Sequence, residues 1–159
     1  MQLQSDQSLK GYTLVELLVS VTIIGLVFGV GYVAFRSFSQ RQILDGAARD
    51  LRGQLRLAQE QALAGKKTAD CTGTLTGYQL NITSGVSYDL EVYCTNGSFP
   101  VKSVDLPTGL SLQTDSPVNP ILFKVLGEGT NLPVSSINIT ITGFGLTQSV
   151  VVNKTGNIE

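Results

Sequence analysis

Glu16 is the first side chain in this sequence whose chemistry demands a partner. It is the only charged residue in the 24 residues from Tyr12 to Phe35, a run dominated by apolar types. A carboxylate at the middle of a membrane helix costs about 2.5–3.5 kcal/mol on insertion scales. Near the end of the run the cost is lower, but a cation that neutralises it is still favoured. The second reactive pair is Cys71 and Cys94, the only two cysteines. An even count in an exported segment reads as one disulfide, with two buried free thiols as the alternative. The bridge would close a loop of about 24 residues, worth roughly 3 kcal/mol in the chain-entropy account. A third candidate is Asp89 with Glu91, two apart in an alternating stretch. Alternation with Tyr88, Leu90 and Val92 puts the carboxylates together on a solvent face. No third ligand accompanies them, and Asp115 and Glu128 are the only other calcium-type candidates, so no metal or cofactor is expected. The chain has no His. That removes Ser-His-Asp and Cys-His catalysis and most zinc sites. No catalytic constellation is left, and an enzyme is not expected.

The elements that carry these groups read clearly. Tyr12 to Phe35 is long enough, at 1.5 Å per residue, to span a hydrocarbon core of about 30 Å. A secretory signal would have a shorter core followed by a small-residue cleavage site; here Arg36 follows. Gly25 and Gly29 form a small-xxx-small pair that lets membrane helices approach closely. From Arg36 to about Ala64 apolar residues recur at Leu44, Ala47, Ala48, Leu51, Leu55, Ala58 and Ala62, one stripe of a 3.6-residue period. Arg49, Arg52, Arg56 and Glu60 fall mostly off it. Gly65, followed by Lys66 and Lys67, reads as the stop. One helix from about Thr13 to Ala64 is predicted, with Gly46 and Gly53 as points where it could bend.

The remainder alternates as strands. Tyr78, Leu80 and Ile82 pair with Tyr88, Leu90, Val92 and Cys94 across a turn at Ser84-Gly85-Val86. Ile137, Ile139 and Ile141 pair with Leu146 to Val152 across Gly143-Phe144-Gly145. Between the hairpins lies a stretch punctuated by Pro100, Pro107, Pro117 and Pro120, and a short strand from Ile121 to Val125. The fold class is therefore α+β: a long N-terminal helix, half membrane and half amphipathic, packed against a C-terminal antiparallel β-sheet domain. Four Asn-x-Ser/Thr sequons, at Asn81, Asn96, Asn138 and Asn153, read as incidental. Net charge is −1, so no global field draws in nucleic acid or anionic lipid. The charge is unevenly spread: seven of the basic residues lie between Arg36 and Lys67, whereas three basic residues face seven acids beyond Lys67. No aromatic lies between Ser39 and Gly77, so stacking platforms for single strands are missing. Nucleic acid is not expected as a partner.

The decamer Lys10-Gly11-Tyr12-Thr13-Leu14-Val15-Glu16-Leu17-Leu18-Val19 resembles the processing site of type IV pilins and of the pseudopilins of type II secretion systems. The resemblance implies a pilin fold. It also implies a leader, residues 1–11, that a prepilin peptidase removes by cutting between Gly11 and Tyr12. Tyr12 would then be N-methylated, and Glu16 would be the assembly residue that neutralises the N-terminal ammonium of an adjacent subunit. Tyr12 departs from the family's usual Phe but keeps an aromatic. The stretch from Ala48 to Ala62 and the ending Val150 to Ile158 resemble H-type minor pseudopilins and related minor pilins. The implied domains are the leader 1–11, a transmembrane and filament-core helix 12–35, an amphipathic helix 36–65 and a β domain 66–159.

Arg36 and Arg41 alone would weakly favour that side of the membrane segment facing the cytoplasm. The resemblance implies the opposite: leader inside, C-terminal domain extracytoplasmic, as the paired cysteines also suggest. The implied location is the bacterial inner or plasma membrane, single-pass, and afterwards a periplasmic or extracellular filament. The implied partners are the prepilin peptidase, other pilin or pseudopilin subunits, the inner-membrane assembly machinery, and membrane lipid before assembly. The alternative function is a membrane-anchored, pilus-associated binding module for DNA uptake or adhesion.

Overall fold

The computed structural model describes residues 11–115 and 117–159. The expected leader, up to Lys10, lies outside the described residues. One helix, α1 (Leu14–Leu63), is followed by seven strands: β1 (Leu75–Ser84), β2 (Ser87–Cys94), β3 (Gly97–Asp105), β4 (Leu110–Thr114), β5 (Ile121–Lys124), β6 (Ser136–Gly143) and β7 (Leu146–Asn153). This is an α+β architecture, a long N-terminal helix followed by antiparallel sheets, consistent with a pilin fold. The chain divides into two compact units, one ending at Ser39 and the other running from Gln40 to Glu159.

In the first unit the described apolar side chains of α1 are exposed. The Ser20 hydroxyl donates to the Glu16 carbonyl at 2.7 Å and the Thr22 hydroxyl to the Leu18 carbonyl at 2.8 Å. Both hydroxyls thus satisfy themselves on the helix, an arrangement that an apolar medium would also demand.

In the second unit the helix buries one stripe. Leu44, Ala47, Ala48, Leu51, Leu55, Ala58 and Ala62 are all buried in the core. They lie three, four or one residue apart and so fall on one face of the helix. The helix passes through Gly46 and Gly53 without interruption. It ends at Gly65, whose φ of +59° is left-handed. The Gly65 amide donates to Ala62 and the Lys66 amide to Gln61, both at 3.1 Å. This pair of bonds is the Schellman arrangement. A Cβ at a left-handed position costs about 1–2 kcal/mol, so Gly65→Ala is expected to lower unfolding stability by about 1 kcal/mol, with Gly65→Asn costing less. Denaturant unfolding of the two variants side by side checks it.

The strands form two sheets rather than one. The first has the order β3-β2-β1-β5, the second β4-β6-β7, all pairs antiparallel. The β1–β2 turn joins them, since the Gly85 carbonyl accepts from the Leu112 amide of β4 at 2.6 Å. Tyr78, Leu80, Tyr88, Leu90 and Val92 of the first sheet, and Ile137, Ile139, Ile141, Val150 and Val152 of the second, complete the core. The β6–β7 turn has Phe144 and Gly145 both at positive φ, 57° and 74°. That is the two-residue turn whose twist suits a hairpin.

β3 and β4 occupy the stretch whose prolines read as loop. β3 is an edge strand, so the missing amide of Pro100 breaks no central ladder. The register slips there: Glu91 pairs with Pro100, and Leu90 with Lys102.

Candidate processing and assembly site

Gly11, Tyr12 and Thr13 precede the helix as exposed coil, with Tyr12 79 % exposed. Thr13 starts α1. Its carbonyl accepts the Leu17 amide at 3.1 Å, and its hydroxyl accepts the Glu16 amide at 3.2 Å. This is N-cap geometry, and Thr13 with Glu16 three residues later is the spacing of a capping box. The Thr-x-x-Glu spacing is the local sequence signal of this cap. Glu16 lies in the first turn of α1, where the helix dipole favours a negative charge. Its carboxylate is exposed.

Gly11 is not required by the fold. A Cβ there would meet nothing within 4 Å, and the same is true of Gly25 and Gly29 in the apolar run.

Residues 8–32 match the prokaryotic N-terminal methylation motif. The matched span holds Gly11, Tyr12, Glu16, Gly25 and Gly29. It supports the type IV pilin and pseudopilin family and indicates a pilin-like subunit that a prepilin peptidase processes. The helix that carries it is long and apolar enough to cross a membrane. Comparison with curated proteins and with solved structures gives no match.

The cysteines meet in the second unit. Cys71 and Cys94 are joined by a disulfide with a Cα–Cα distance of 5.9 Å, and both are buried. The bridge fastens the loop after α1 to the end of β2. Asn96 reinforces it: its Nδ2 donates to the Asp70 carbonyl at 3.2 Å and the Thr72 hydroxyl at 3.1 Å, and its Oδ1 accepts the Gly73 amide at 3.2 Å.

The other acidic candidates are used locally. Glu91 accepts from Gln79 Nε2 at 2.5 Å and Asn81 Nδ2 at 3.2 Å, and with Asp89 is half-buried rather than on a plain solvent face. Asp115 accepts the Asn138 amide at 2.9 Å and its Nδ2 at 2.7 Å. These bonds, the backbone one foremost, hold the Asp115 carboxyl below the usual carboxylate range. Asn81, Asn96 and Asn138 thus spend their carboxamides inside the protein. Among the described residues no group of three metal-type side chains comes together.

One polar contact between helix and sheet had no sequence signal. The Tyr88 hydroxyl donates to Asp50 Oδ2 at 3.3 Å across 38 residues. Burial, then the Asp50 charge, then this bond push the Tyr88 phenol well above its ordinary value of 10.0, and burial raises Tyr78 as well. The unfolded chain ionises both tyrosines near that ordinary value, whereas the folded chain keeps them neutral. Stability is therefore complete below pH 10.0 and falls as pH rises further, because the unfolded state then binds fewer protons. Asp50→Asn removes the charge contribution and is expected to move the alkaline unfolding midpoint upward, read by circular dichroism across a pH titration.

Proposed function

We propose that this chain is a structural subunit of a type IV pilus-like or type II secretion pseudopilus filament, processed by a prepilin peptidase and assembled through its N-terminal helix. The observation that carries the reading is the methylation motif over residues 8–32, with Gly11, Tyr12 and Glu16 at the spacing of a prepilin signal. In this reading the peptidase cuts between Gly11 and Tyr12, and Tyr12 is N-methylated. Residues 1–11 are leader, 12–35 membrane and filament-core helix, 36–65 amphipathic helix, and 66–159 the extracytoplasmic β domain. The finer reading is a minor subunit of the H-type class, supported by the likeness of the Ala48–Ala62 stretch.

Cleavage before Tyr12 would create an ammonium at the N-terminus of a helix, where the dipole opposes positive charge. A carboxylate must offset it. Glu16 of a neighbouring subunit does so when the two helices are offset by one step, and the pairing removes two isolated charges from an apolar interior at once. Movement from lipid into the filament core exchanges one apolar medium for another, and Gly25 and Gly29 leave room for close helix contact.

The test is substitution of Gly11 by a bulky residue. The expected result is retention of the leader, seen as a larger chain in the membrane fraction. Removal of the leader at the same position in both proteins contradicts the reading.

A further inference from the structure

Between Gln40 and Leu63 the helix has two flanks of opposite character, one on each side of its buried stripe. On one flank a groove of about 430 Å³ runs between α1 and the end of β3. Ile43, Ala47, Leu106 and Pro107 give it an apolar floor, and Asp50 and Asp105 supply two carboxylates. Asp50 receives only neutral donors, the Tyr88 hydroxyl and Gln54 Nε2, both at 3.3 Å. Asp105 is exposed, and its carboxylate has no partner among the described residues. On the other flank Arg41, Arg49 and Arg56 are exposed and Arg52 is half-buried, four cations against the carboxylate of Asp45, which lies beside Arg41, Arg49 and Arg52 and accepts Gln148 Nε2 at 2.8 Å. At about 100° per residue, the centre of this row lies roughly 130° around the helix from Asp50. Arg52 is held by the Ser149 carbonyl at 3.1 Å. Arg41 and Arg56 make no recorded side-chain bond.

An apolar floor with carboxylates on its walls selects a particular occupant: a long aliphatic stem ending in a cation. An arginine side chain fits, since its methylenes cover apolar surface while its planar guanidinium takes a carboxylate through two parallel hydrogen bonds. An anionic lipid or a nucleic acid is repelled by the same walls. The chain itself carries the matching cations, on a surface that does not overlap the groove. The two patches face directions roughly 130° apart, too far apart to share one flat two-fold interface; they join copies head to tail, the kind of contact that builds an open helical assembly.

We propose that the Asp50–Asp105 groove receives an arginine of the Arg41–Arg56 row from a second copy of this chain. The proposal rests on the filament reading above and adds to it a named contact between outer domains. Two adjacent copies suffice, so the contact is compatible with a subunit of low abundance.

The experiment places a photo-crosslinking amino acid at Thr108, an exposed residue on the groove's rim, in the full chain in its own cells. The expected product is a dimer whose crosslink maps between Arg41 and Arg56 of the second copy. Asp105→Lys should reduce it roughly tenfold through like-charge repulsion. The double change Arg49→Glu with Arg56→Glu in the same chain should restore it. The Asp105 carboxylate is exposed and has no hydrogen-bond partner among the described residues, so its replacement breaks no side-chain bond of the fold. No dimer, a crosslink that maps elsewhere, a product with a different protein, or a dimer indifferent to Asp105→Lys overturns the proposal. Leader removal and filament incorporation are followed in the same cells: normal processing and incorporation without the crosslink defeats this contact alone, whereas an uncut leader defeats the filament reading.

Discussion

Glu16→Ala is expected to leave the chain in the membrane and to remove most of it from filaments. The apolar run gains from losing a charge, so insertion is not impaired. The local helix loses only a favourable first-turn carboxylate, worth about 0.3–1 kcal/mol, while the Thr13 cap stays in place. Assembly is different. With the carboxylate gone, the ammonium of a neighbouring N-terminus is left without its counter-charge, and stranding one member of a buried pair costs about 3–5 kcal/mol. At about 1.4 kcal/mol per factor of ten, incorporation should fall by roughly a hundredfold or more. Glu16→Asp, which keeps the charge on a shorter arm, should retain part of it. Quantifying the subunit in sheared filaments against the membrane fraction checks this; normal incorporation of Glu16→Ala removes Glu16 from assembly.

Removing the disulfide is the second large effect. The sequence separation of Cys71 and Cys94 is 23 residues, and a cross-link over a loop of that size is worth about 3 kcal/mol. Cys71 and Cys94 are both buried, so replacement by serine also places two hydroxyls in an apolar site. The loop from Lys66 to Thr74 is otherwise held by the Asn96 side chain, by the Thr74 amide donating to the Thr95 hydroxyl at 2.9 Å and the Thr95 amide donating to the Thr74 carbonyl at 3.0 Å, and by the bond from the Tyr78 hydroxyl to the Lys66 carbonyl at 2.9 Å. The double serine variant should therefore unfold at lower denaturant by about 3 kcal/mol, and limited proteolysis should cut first in this loop. Alanine at both positions should cost less than serine.

The elements legible in the sequence were those whose signal is local. The Leu44–Ala62 stripe follows from helical period, and each residue of it is buried. The Tyr78–Cys94 and Ile137–Val152 hairpins follow from alternation across glycine-bearing turns. What escaped was non-local. β3 looked like a loop because Pro100 argues against a strand until its edge position is known. β4 is short, Leu110 to Thr114, and finds its partner in β6 rather than in the strand before it. The split into two sheets depends on that choice, and nothing in the spacing of residues encodes it. At the N-terminus Gly11, Tyr12 and Glu16 stand out by type and position, and the Thr13 cap is encoded locally in the Thr-x-x-Glu spacing. The contact of Tyr88 with Asp50 joins residues whose facing is set only once helix and sheet are packed.

The most direct measurement is the N-terminus of the mature chain, read by mass spectrometry on protein taken from the membrane and filament fractions. The account predicts a chain that begins at Tyr12 and carries one added methyl group on its amino nitrogen. A chain that still begins at Met1, or one cut beyond the apolar run, contradicts it.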